Sequence, residues 1–93
     1  MQTTHVPGKN KGKIMVYALS TCPWCRKMKQ FLNEKGIEYE YIDVDLLQGD
    51  ERSSILSIVE EWNPQGSFPT IVINDSQCII GYDETKMREA LRL

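Results

Sequence analysis

The sequence predicts an α/β fold: a four-stranded mixed sheet flanked by three helices, in the order β-α-β-α-β-β-α. Three observations predict it. Apolar segments with strand and helix periods alternate from residue 14 to residue 62. The first strand–helix–strand unit has to join parallel strands through a right-handed crossover. Two further apolar runs, separated only by DSQ, then require an antiparallel hairpin.

Each element has its own signal. Residues 14–19, IMVYAL, are a continuous apolar run of strand formers, the pattern of a buried central strand. In STCPWCRKMKQFLNEKG, Pro23 suits a first helical turn, where its missing N–H is not needed. Cys25, Met28, Phe31 and Leu32 recur at helical spacing, while Arg26, Lys27, Gln30 and Asn33 fall largely elsewhere. Gly36 is placed to end that helix. Cys22 therefore caps the helix and Cys25 lies in its first turn. IEYEYIDVD (37–45) alternates with period two, setting Ile37, Tyr39 and Tyr41 on one face and Ile42 and Val44 on the other. Ile55, Leu56, Val59 and Trp62 form the apolar stripe of a second helix, which makes Trp62 a core residue. PQGSFP is a loop, TIVIN and CIIGY are the hairpin strands, and Asp83 caps a last helix that buries Met87, Ala90 and Leu91.

Residues 1–13, MQTTHVPGKNKGK, read as a flexible polar tail, and residues 14–93 as one domain. A chain of 93 residues buries one small core, about 60–65% of the surface it exposes when unfolded. With 41% apolar and 26% charged residues it reads as globular rather than disordered. A net charge of −2 argues against a nucleic-acid partner, and no apolar run approaches the length needed to span a membrane. A monomer is the expected state. Neither a signal peptide nor a secreted disulfide framework is visible, so the expected compartment is the cytoplasm.

In that compartment a CxxC pair binds metal or does redox chemistry. Structural zinc needs four ligands, whereas this pair is joined only by Cys78 in a strand and His5 in the polar segment, so no metal site is expected. A structural disulfide across two residues closes too small a loop to gain much. Redox chemistry needs a thiolate, and an ordinary thiol with a pKa of about 8.5 is only about 3% ionised at neutral pH. The free N–H groups at the helix start, with Arg26 and Lys27 in the next turn, favour the anion at Cys22. Cys25 should be more buried. The pair thus supplies an attacking thiol and a resolving one. Cys78 reads as a buried, inert thiol.

VYALSTCPWCRKMKQFL, SFPTIVIN and GYD, in this order and spacing, resemble the glutaredoxins over roughly residues 14–92. That family has a thioredoxin-like architecture, as the predicted sheet does. The resemblance implies thiol–disulfide exchange by Cys22 and Cys25 on protein or mixed disulfides, with no tightly bound cofactor. It implies a cis Pro69, with the backbone of Phe68 offered to the substrate. It also implies a thiol-binding groove lined by Pro23, Trp24, Phe68, Pro69, Gly81, Tyr82 and Asp83. The expected partners are disulfide-containing proteins and a reductant. Two departures bear on that reductant. Leu19 stands where the family commonly has a lysine three residues before the first cysteine, and Ile80 breaks the usual double glycine before the last helix. The electron source is therefore left among glutathione, another small thiol such as coenzyme M, and a thioredoxin-reductase-type enzyme. Two rival readings are an iron–sulfur cluster carrier, which Pro23 argues against, and a redox-sensing binding module.

Overall fold

A computed structural model of the chain describes residues 3–93. At its centre lies the apolar run expected there, strand β2 (Ile14–Ala18). The unit that follows is helix α1 (Pro23–Glu34) and strand β3 (Tyr39–Asp43), which pairs parallel to β2 with Val16 opposite Tyr41. A 3₁₀ turn (Val44–Leu46) leads into helix α2 (Gly49–Trp62). Strand β4 (Thr70–Ile73) pairs antiparallel with the other edge of β2, and β5 (Gln77–Ile80) folds back on β4. Helix α3 (Glu84–Leu91) completes the chain. The hairpin turn uses Asn74 and Asp75 at positive φ, the conformation that tight two-strand turns demand.

The α/β class and element order match the expectation, with one more strand. Thr4–Val6, named β1, pairs antiparallel with β3, giving a five-stranded sheet in the order β1-β3-β2-β4-β5. The polar tail expected over residues 1–13 is thus corrected for residues 4–6; Met1 and Gln2 lie outside the described residues. The physical reason is tertiary. Val6 packs against the core, and His5 Nε2 lies 2.8 Å from Glu38 Oε2. Lys9 N–H donates to Gly36 O at 2.7 Å, and Glu38 N–H donates to Lys9 O at 2.9 Å. This close approach requires Gly8: a Cβ there would sit 2.7 Å from Gly36 O.

Period-two alternation divides the core between the two faces of the sheet. Ile14, Val16, Ala18, Ile37, Tyr39, Ile71 and Ile73 pack with α1 and α3. Tyr17, Ile42, Val44 and Val72 pack with Ile55 and Val59 of α2, while Leu56 and Trp62 flank that cluster. Met28 and Ile55 are almost fully buried, so truncating either to alanine removes a full side chain from a closed core. Because β2 and β3 run parallel and β4 starts where β2 ends, the loops after β2, β3 and β5 and the loop before β4 meet at one end of the sheet. No helix among the described residues is long and apolar enough to cross a membrane.

Candidate active site

Cys22 is the N-cap of α1, with extended backbone (φ −87°, ψ 117°). Its Sγ accepts the Cys25 N–H at 3.2 Å, and its carbonyl accepts the Arg26 N–H at 3.1 Å. Pro23 begins the helix, where the absent N–H costs nothing. Cys22 is partly exposed, whereas Cys25 has no exposed surface. Burial, and then the hydrogen bond to Cys22, push the Cys25 thiol up to about 12. Both thiols are free, as is Cys78, which sits half-buried on β5 with its thiol also pushed up by burial.

Trp24 projects into solvent and stacks on Tyr82, with ring centroids 6.2 Å apart and planes inclined by 22°. The Lys27 ammonium sits 4.7 Å from the indole centroid, a cation–π contact. Arg26 is exposed. Among the described residues, neither cation hydrogen-bonds Cys22, so any effect they have on the thiol acts through space.

At the end of the sheet where β2 finishes, the Phe68–Pro69 peptide bond is cis and Pro69 is buried. Phe68 is partly buried and packs against both halves of the core. The Pro69 carbonyl accepts the Gly81 N–H at 2.8 Å, and Gly81 has φ +78°, which glycine adopts without a steric penalty. Asp83 is the N-cap of α3 and accepts the Lys86 N–H at 3.0 Å. Cys22, Cys25, Trp24, Phe68, Pro69, Gly81, Tyr82 and Asp83 therefore meet at one end of the sheet. Leu19 packs against the α2 half of the core.

Two supports carried no recognised signal in the sequence. Asp45 accepts both the amide and the hydroxyl of Ser20, two residues before Cys22. These bonds hold its carboxyl below the ordinary aspartate range. Fully buried Asn63 donates to Ser67 O at 3.1 Å, Ser67 Oγ at 3.0 Å and Thr70 Oγ1 at 3.1 Å. Its only trace in the sequence is an Asn before a proline, which reads as a helix stop. Among the described residues, no group of three or more His, Cys, Asp or Glu side chains has a metal-binding arrangement.

A partly exposed thiol capping a helix, a second thiol one turn inside it and a cis-proline loop at the same end of the sheet define a thiol-oxidoreductase fold of the thioredoxin-like class. The family model named Glutaredoxin matches residues 14–78. The chain belongs to the glutaredoxin family. Among solved structures it is similar to the methanoredoxin of Methanosarcina acetivorans, with 45% identity, TM-score 0.89, and coverage of 92% of this chain and 90% of that one. It is likewise similar to a glutaredoxin from Methanosarcina mazei Go1, with 41% identity, TM-score 0.91, and coverage of 100% and 90%. Among curated proteins, glutathione S-transferase Z1 of Arabidopsis thaliana is 38% identical over 87 residues, 88% of this chain but 37% of that protein's length. The chain spans well under half the length of that plant transferase.

Proposed function

We propose that this protein is a cytoplasmic dithiol oxidoreductase that reduces protein or mixed disulfides. One observation carries the reading. The partly exposed thiol, Cys22, receives a hydrogen bond from the backbone of Cys25, whose own buried thiol stays protonated at neutral pH. Cys22 Sγ attacks one sulfur of a substrate disulfide, and the other sulfur leaves as a thiolate that takes up a proton. Cys25 then loses its proton and attacks Cys22 Sγ. The second substrate sulfur leaves as a thiolate and takes up a proton in place of the one Cys25 gave up, and the two electrons gained by the substrate disulfide are balanced by the new Cys22–Cys25 disulfide. Two equivalents of a small thiol, or a reductase supplying two electrons, restore the dithiol.

In this reading the Phe68–Pro69 edge, at the same end of the sheet as the thiol, serves as an extended platform for the substrate backbone, in the manner of strand addition. Trp24 and Tyr82 wall the groove. Arg26 and Lys27 add long-range positive potential near the thiolate, screened by salt.

Reduction of a mixed disulfide is the test, with glutathione, coenzyme M and a thioredoxin-reductase system as separate electron sources. Turnover is expected with at least one of them. Cys22→Ser is expected to lose all exchange, while Cys25→Ser keeps monothiol chemistry on mixed disulfides. Full activity in Cys22→Ser would refute the assignment. A brown, visibly absorbing protein on anaerobic purification, without exchange activity, would point to cluster carriage instead.

A further inference from the structure

The loop that presents Phe68 and Pro69 has no secondary structure of its own between the end of α2 and the start of β4. Such a segment keeps a fixed shape only if something ties it down. Here the ties converge on one side chain. Asn63 closes α2, its own N–H donating to Val59 O at 2.7 Å. Its backbone carbonyl accepts Gly66 N–H at 2.8 Å, and its Oδ1 accepts Gln65 N–H at 3.2 Å, which folds the turn. Its Nδ2, with two hydrogens, lies within 3.1 Å of three acceptors, Ser67 O, Ser67 Oγ and Thr70 Oγ1, so that one hydrogen is shared between two of them. Ser67 directly precedes Phe68, and Thr70 directly follows Pro69. A further bond from Thr70 Oγ1 to Ser67 O, at 2.8 Å, closes the bracket. Every polar group of Asn63 is engaged, at a residue with no exposed surface.

If filling space were the only demand here, an apolar residue would meet it without the desolvation cost of an amide. The amide instead fixes the two flanks of the dipeptide that lies at the same end of the sheet as Cys22. We propose that Asn63 is a positioning residue for disulfide exchange: it holds the Phe68–Pro69 edge in the shape a substrate disulfide must meet, without touching substrate itself. The proposal rests on the dithiol reading above. It separates two halves of the site. The thiol is placed by α1, and the substrate platform by the end of α2.

The experiment compares the full-length wild type with Asn63→Ala, Thr70→Val and Thr70→Ser. It reads steady-state reduction of a protein disulfide alongside the rate of Cys22 alkylation by iodoacetamide. Small displacements of a positioning element cost up to about a hundredfold, so a loosened platform should raise KM on the order of tenfold. In Asn63→Ala and Thr70→Val, KM is expected to rise by that amount with kcat within about twofold and Cys22 alkylation unchanged. Thr70→Ser keeps the hydroxyl and is expected to behave as wild type. If Asn63→Ala does not fold, the Thr70→Val and Thr70→Ser pair decides. Folded variants with wild-type KM would overturn the proposal, as would alkylation slowing in step with turnover, because either places the effect elsewhere. A wild type that does not turn over at all sinks the dithiol reading itself, and this role for Asn63 with it.

Discussion

Asp45 accepts two hydrogen bonds from Ser20 and so fixes the approach to Cys22 from the strand side of the site. Because those bonds lower its pKa when folded, the sign of its pH effect is set. The stability it contributes is present above the unfolded aspartate value of about 3.9, and is lost as pH falls from there through the lower folded value. Asp45→Asn removes that titration and is expected to lower Tm in the neutral region, where the ionised carboxylate contributes, and to converge with wild type in acid, so that the acid limb of a Tm-against-pH curve is flatter. An acid limb as steep as wild type would show that Asp45 does not carry it. The two cysteines were legible as residues because CxxC at a strand–helix junction carries its chemistry in its spacing. Asp45 and Asn63 were not. Asp45 acts on a residue 25 positions away, and Asn63 on a loop whose path only the folded chain defines.

At the level of elements, periodicity carried most of the reading. The buried faces of α1 and α3 and the two faces of β3 fall where helical and strand spacing put them. Element ends were less legible. The strand expected over 37–45 is shorter, because Val44–Leu46 tightens into the 3₁₀ turn that carries Asp45. The hairpin strand ends at Ile80, because Gly81 turns the chain toward Pro69 at positive φ. Asp83 is the cap of α3, a role that can be measured directly. Asp83→Ala leaves the Lys86 N–H without its partner and is expected to cost roughly 0.5–2 kcal/mol in urea unfolding, with m unchanged. Asp83→Asn, which keeps an acceptor, is expected to recover most of that loss. A wild-type midpoint for the alanine variant would mean that α3 does not depend on this cap.

For the molecule as a whole, the misread segment is the first one. Lysine and glycine between residues 8 and 13 look like solvated chain, and no local pattern announces that Thr4–Val6 has a partner in β3. The partnership depends on Gly8, where any Cβ collides with the backbone of Gly36–Glu38. Gly8→Ala is expected to lower stability by about 1–3 kcal/mol, the usual range for overpacking. Hydrogen exchange should show faster exchange at the Thr4–Val6 amides and at Glu38, with the β2 and β4 amides still protected. Uniform loss of protection would mean that the segment belongs to the same cooperative unit as the central sheet. That short ladder also determines what a neighbouring molecule can do. Without β1, the outer row of β3 donors and acceptors would stand unpaired at the sheet edge, open to any extended segment able to pair with it.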